Sequence, residues 1–427
     1  MKKLVSVAVV FALCTAGLFA NGTAEKSAEG GKTVLKIANY AVLESGYIPF
    51  WDGIKKGFEA ENPTVEIQWV SAPYGEIMNQ VINMAGGGDK VDGIFGEIGW
   101  IPGFEDAGLA APISDILPAS FVNDFYPDVL NSFKINGNAY GIPLYISPYV
   151  LYYNKALFEQ AGLDPNTPPK TYDEMLKMAE KLSMLKDKNG NKVYAFGQTT
   201  ASVPVSGDSL TGMIFNFGGT VLDASKKLSV DNQGFRDAIA MLKTLDDKGY
   251  NPQNAKLKDL RNLFALGQLA MYYDQSWGFN GIKSINPDAI NFTSSAAPLI
   301  GGQGKGQSIL QAHCFILVDN GGARKAALSK FVQYVISEKV LSDYLANTTP
   351  AYPAKASMAK MAGVQNNPVL KGAADSAKNV KAQPFIPQLT DLNLELCSLA
   401  QAVTVGNQDV DSAIANFTKV MQAKLGN

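Results

Sequence analysis

Six places in the chain set aromatic rings beside side chains that can bind hydroxyls: Glu44 with Tyr47, Tyr74, Glu97 with Trp100, Tyr145 and Tyr149 around Ser147-Pro148, Asp274 with Trp277, and His313. A flat ring buries an apolar C–H face, while carboxylates and amides beside it fix a rim of hydroxyls. That combination suits a sugar. Each hydroxyl partner left unmatched costs about 1–3 kcal/mol, so such a site also discriminates. Trp277 with Asp274 forms the leading pair, because it follows a short apolar strand and lies in a polar Asp-Gln-Ser context. Each residue also has a plainer role open to it. Trp277 could pack in the core, Trp100 could cap the following helix, and Glu97, Glu44 and Tyr47 could be solvated loop positions. Tyr152 and Tyr153 read as core.

Catalysis has less to work with. The chain holds one histidine, His313, on an apolar strand beside Cys314 and Phe315. A Ser-His-Asp relay would need it, and there is no Gly-x-Ser-x-Gly elbow. Clusters of His and Cys for zinc are absent from the sequence. The run Gly86-Gly-Gly-Asp89 lacks the Gly-Lys-Ser/Thr ending of a phosphate loop and reads as a helix stop. No cofactor, metal or catalytic residue is expected, although a carbohydrate-active enzyme needs only two carboxylates.

The elements that position these groups begin with a strand at Thr33–Ala41 and a helix carrying Phe50, Ile54 and Phe58, ended by Asn62-Pro63. Val65, Ile67 and Trp69 alternate, Ile77 and Val81 return at helical spacing, and 91–95 is a third strand. Strand and helix in alternation predict a doubly wound lobe, with ligand loops beyond the carboxyl ends of the strands. Those loops hold Glu44 and Tyr47, then Tyr74, then Glu97 and Trp100. Asn136-Gly137 predicts a hairpin. In the central stretch Gly141–Glu174, 148–153 predicts a buried central strand, and Asn154 caps a helix over 155–161 that Gly162 ends. Thr171 and Glu174 form a capping box. Further strands are expected at 270–273, 290–297 and 311–318, with 301–306 a mobile connection.

Tyr140-Gly-Ile-Pro143, Tyr152-Tyr-Asn-Lys155, Leu157-Phe158, Ala161-Gly-Leu163 and Pro168-Pro-Lys-Thr-Tyr-Asp-Glu174 together resemble the signature of extracellular solute-binding proteins of ATP-driven importers, in the family 1, maltose-binding-like group. The resemblance extends more loosely from about Thr33 to the C-terminus. It implies an α/β, two-lobed periplasmic-binding-protein fold of type II-like character, with doubly wound sheets, a hinge and an interlobe cleft. It also implies a monomer that captures a mono- or oligosaccharide, closes, and delivers it to a membrane permease of an ABC importer. A glycerophosphodiester or a polyamine is the alternative solute, and an adhesin the alternative class. In this family the region Phe264 to Trp277 lines the cleft, and an aromatic corresponding to Tyr352 covers the ligand. The chain departs from the pattern at Tyr273-Asp-Gln-Ser-Trp277, where many relatives have a glycine shortly before the tryptophan.

A chain of 427 residues exceeds one ordinary core. The expected division puts 33–145 and 279–345 in the first lobe, and 146–278 and 346–427 in the second lobe with the C-terminal helices. With 37 basic and 39 acidic residues, the net charge of −2 gives no field for nucleic acid. Lys2 and Lys3 before the apolar run to Ala20 predict a signal peptide over 1–20, followed by a flexible tether at 21–32. The protein is therefore expected outside the cytoplasmic membrane. Lipidation at Cys14 is less favoured, because bulky Leu13 precedes it. Cys314 and Cys397 show no framework spacing and are expected as buried free thiols.

Overall fold

The computed structural model describes residues 31–426, apart from 224, 373, 375, 377, 378, 385 and 387. The expected signal peptide, Cys14 and nearly all of the tether lie outside the described residues.

The chain folds into two α/β lobes. In the first, strand Thr33–Asn39 pairs in parallel with Val65–Val70 on one side and Gly93–Glu97 on the other. Ala312–Leu317 then joins antiparallel to Gly93–Glu97, and Ile142–Ile146 closes the five-stranded sheet. Helix Ile48–Glu61 buries Trp51, Ile54 and Phe58 against this sheet; Ile54 and Phe58 are as expected, while Trp51 takes the buried place expected of Phe50, which is only partly buried. The third strand begins at Gly93, two residues later than expected.

The second lobe is built on a different sheet. Tyr149–Asn154 is its fully buried central strand, flanked by Met271–Gln275 and Thr293–Ala296, and both pairings are antiparallel. Asn154 Oδ1 accepts from the Leu157 amide at 3.1 Å, and Gly162 takes the left-handed conformation that ends the helix. Thr171 Oγ1 accepts from the Glu174 amide at 3.1 Å, as the capping box requires. The Glu174 carboxylate reaches back one residue further than the motif predicts, to the Lys170 amide at 2.7 Å.

Core packing moves the expected boundaries. Phe279, Ile282 and Ala289 pack with Leu257, Leu260 and Phe264 behind the second sheet. Strand Thr293–Ala296 pairs with the central strand of that sheet, so the chain leaves the second lobe only after Ile309. Residues 279–309 therefore belong with the second lobe. Conversely, Ala351, Tyr352, Met358 and Val364 pack in the first core, while Leu392 to Met421 return to the second. Among the described residues, the chain crosses between lobes after Ile146, after Ile309 and again before Leu392. Around the first crossing, Ser147 Oγ and Ser276 Oγ are 2.8 Å apart, Ser276 Oγ donates to the Pro350 carbonyl at 3.1 Å, and the Ser147 amide donates to the Gln311 carbonyl at 2.7 Å.

The glycine-rich connection at 301–306 is a packed turn, not a loose one. The Gly301 amide donates to the Asn216 carbonyl at 2.9 Å, and a Cβ on Gly304 would overlap that same carbonyl. Cys314 and Cys397 are free, each buried in a different core.

Candidate functional site

The carboxyl ends of the first-lobe strands deliver a continuous aromatic cluster. Tyr40 follows the first strand and stands edge-on to Tyr74 at 5.1 Å and 5.8 Å from Trp100, while Tyr74 and Trp100 are 5.4 Å apart. Gly96 makes room for this arrangement. A Cβ there would lie 2.3 Å from the Trp100 ring, so Gly96→Ala is expected to displace the indole and lower the melting temperature by several degrees, as read by calorimetry.

His313 links the first-lobe cluster to the second lobe. Strand pairing sets it opposite Glu97 on one side and Tyr145 on the other. Its Nδ1 is hydrogen-bonded to the Tyr145 hydroxyl, and its Nε2 lies 3.4 Å from the Tyr40 hydroxyl and 3.6 Å from Glu97 Oε1. Trp277, contributed by the second lobe, stacks on the His313 ring at 5.3 Å with an interplanar angle of 26°. Tyr145 stands edge-on to Trp277 at 6.5 Å and 5.7 Å from Tyr344, which in turn stacks on Phe50 and lies 6.4 Å from Tyr47.

Two carboxylates face the space between the lobes. Glu97 of the first lobe and Asp208 of the second line one cavity of about 160 Å3, together with Gln311, Gln383 and Asn393. Asp208 is carried by helix Pro204–Asn216, which packs closely on helix Leu389–Val403 because Gly207 has no Cβ to meet the Asn393 backbone. Asn393 Nδ2 donates to Asp208 Oδ1 at 2.9 Å, and Gln311 Nε2 to Oδ2 at 3.3 Å. Burial acts to raise the Glu97 carboxyl, but its hydrogen bond and charge interaction with His313, and the Tyr74 hydroxyl, outweigh burial and hold it below its ordinary value. Burial pushes Asp208 up to about 7; the Asn393 hydrogen bond opposes this, and the negative charge of Glu97 adds to it.

The Asp208 shift has a stability consequence of definite sign. The folded state keeps a proton that the unfolded chain releases near the ordinary value of 3.8. This contribution is full below that value and is lost as pH rises through about 7. Asp208→Asn is expected to flatten the pH dependence of the melting temperature across that window.

Of the positions expected from sequence, Trp277, Tyr47, Tyr74, Glu97, Trp100, Tyr145 and His313 fall in or against this cluster. Glu44 is exposed at its rim, where its charge adds to the raised pKa of Tyr40, of Tyr47 and of Tyr344. Three expectations are corrected. Asp274 is fully buried, its carboxylate gripped by Arg261 Nε at 2.6 Å and Nη2 at 2.7 Å and by the Tyr272 hydroxyl at 3.1 Å. Tyr352 is buried behind the hinge, where its hydroxyl donates to the Leu370 carbonyl at 2.6 Å and its backbone pairs with Ile146. Tyr149 is buried in the second core, with its hydroxyl accepting from Gln275 Nε2 at 3.1 Å. Its place on the central strand turns it inward.

Sequence reasoning missed Tyr40, Asp208, Gln311, Tyr344, Gln383 and Asn393. Tyr40 had a usable signal, since it ends the first strand at the side where ligands bind. Tyr344 sits on a helix of the first core, and Asp208, Gln311, Gln383 and Asn393 sit on helices and crossing segments that only the packing of the two lobes brings to the cavity. Among the described residues, no group of three or more His, Cys, Asp or Glu is placed to hold a metal ion, and no helix is long and apolar enough to cross a membrane.

A family model described as bacterial extracellular solute-binding protein matches residues 54–372. A binding protein of Brucella abortus is 22% identical over 391 residues, covering 91% of this chain and 92% of that protein. Among solved structures, the cyclic alpha-maltosyl-1,6-maltose binding protein of Arthrobacter globiformis superposes with a TM-score of 0.80 at 19% identity, over 92% of this chain and 99% of that one. UgpB of Mycobacterium tuberculosis, in complex with glycerophosphocholine, gives 0.74 at 20% identity, over 93% and 99%.

Proposed function

Because the chain belongs to the bacterial extracellular solute-binding protein family, we propose that it captures a mono- or oligosaccharide between its lobes and presents it to the membrane permease of an ABC importer. The observation that carries this reading is the aromatic cluster of Tyr40, Tyr74, Trp100 and Trp277 around His313 and Glu97, next to the cavity that Glu97 shares with Asp208. Rings accept the C–H faces of a pyranose, and the carboxylates accept its hydroxyl protons. Because the contacts come from both lobes, ligand binding favours the closed state, and the measured affinity includes the free energy of closure. The protein works by stoichiometric binding without turnover, as a monomer, after export by the leader over 1–20.

A glycerophosphodiester is the second reading, favoured by the resemblance to a protein solved with glycerophosphocholine. A thermal-shift panel of sugars, glycerophosphodiesters, polyamines and amino acids separates the two. A ligand present at about 100 times its Kd stabilises the native state by about 2.7 kcal/mol. A shift with saccharides supports the proposal. A shift only with phosphodiesters replaces the solute, and silence throughout contradicts the binding role.

A further inference from the structure

The crevice does not end at the aromatic cluster. Ala382 and Gln383 line the small cavity beside Glu97 and also a wider arm of about 630 Å3, so the two spaces adjoin across these two residues. The arm has a different chemical character. Lys134, Lys226 and Lys381 line it with Asp128 as the only carboxylate among the described residues, and amide side chains make up much of the remainder.

We propose that this arm is a subsite for an anionic group of the solute, so that the ligand is a polyhydroxylated molecule bearing a carboxylate or a phosphate, with its neutral end among the rings. The inference rests on the sugar-binding reading of the aromatic cluster and extends it.

The three ammonium groups come from three parts of the fold. Lys134 lies in the first-lobe hairpin that pairs Lys134–Ile135 with Asn138–Ala139, and its Nζ donates to Asn131 Oδ1 at 2.9 Å. Lys226 belongs to a second-lobe turn, held at a φ of +63° while Asp223 accepts from its amide and that of Lys227. Lys381 lies on the last crossing segment, where its carbonyl accepts from the Leu310 amide at 2.9 Å. Closure of the lobes thus gathers positive charge around whatever occupies the arm.

Lys381 carries the argument furthest. It is half-buried, its Nζ sits 4.0 Å from the centroid of the Phe215 ring, and no carboxylate among the described residues lies within ion-pair distance of it. Its burial disfavours the charged form, a penalty that an incoming anion would offset. At the other end of the crevice, the Glu97 carboxylate repels an anion. The two ends therefore orient a polar ligand in one direction, with the anion at the lysines.

The test is calorimetric titration of the chain from Asn21 with a neutral disaccharide, its uronic-acid counterpart, glycerol 3-phosphate and glycerophosphocholine. The same titrations are run on Lys381→Met and Lys226→Met, with melting curves verifying that each variant is folded. The uronate is expected to bind about tenfold tighter than the neutral sugar, with an advantage that shrinks as salt is raised. Lys381→Met should remove most of that preference and leave the neutral sugar unchanged. Equal binding of neutral and acidic sugars by the wild type, or equal loss of both in the variant, overturns the anionic subsite and leaves the sugar reading standing. Binding of the phosphate-bearing probes alone, weakened by Lys381→Met, keeps the subsite and overturns the sugar reading. Silence of every probe overturns both.

Discussion

Arg261→Ala is expected to lower the stability of the folded chain by about 3–5 kcal/mol, the largest effect of any single substitution considered for this protein. Asp274 has no exposed surface, and its carboxylate is satisfied by two bonds from Arg261, one from the Tyr272 hydroxyl and one from the Gln275 amide at 2.8 Å. Removing the guanidinium leaves a charge inside an apolar cluster that includes Val150, Tyr152, Leu260 and Phe279. Burial of an unpaired carboxylate is far more costly than the loss of the pair itself. The paired change Arg261→Met with Asp274→Leu should therefore recover much of the stability. A denaturant titration measures both as a shift in midpoint at constant slope. Ligand affinity of the folded fraction should stay near wild type, because this ion pair lies behind the second sheet and outside the cleft.

Trp277→Ala is expected to weaken saccharide binding at least tenfold, about 1.4 kcal/mol, with little change in melting temperature without ligand. The indole is half-buried, stacked on His313 and edge-on to Tyr145, so it joins a second-lobe surface to the first-lobe cluster. Its loss removes a ring face for the sugar and opens the junction to water. Trp277→Phe should retain part of the affinity, since a smaller ring keeps the stacking geometry but covers less area. Unchanged affinity of the alanine variant in calorimetry would remove Trp277 from the site.

These two predictions also mark where the sequence was readable. The spacing of Asp274 and Trp277 suggested one site, but strand geometry separates them. Asp274 lies within Met271–Gln275, opposite Val150, and turns toward Arg261, whereas Trp277 stands past the strand end and turns toward the cleft. Side-chain direction on a strand alternates, and the alternation cannot be phased without the register of the partner strand. The first-lobe loops were easier. Glu97, Trp100 and Tyr74 follow directly from strands whose parallel pairing was visible in the alternation of strand and helix, and the ligand side of such a sheet is set by topology. The return of the chain at Leu310 was hidden because strand Thr293–Ala296 carries Thr, Ser and Ala, with no apolar stripe to show which core it joins. Asp208 and Lys381 were hidden for another reason. Their roles exist only when two lobes, far apart in sequence, face one another.

Hydrogen exchange with and without the saccharide giving the largest thermal shift tests most directly whether the solute binds between the lobes. Binding between the lobes predicts slower exchange at once in first-lobe segments 71–77 and 96–101, in second-lobe segment 204–212, and at the crossing 308–313. Protection confined to one lobe, or to surfaces away from these segments, would contradict capture in the cleft.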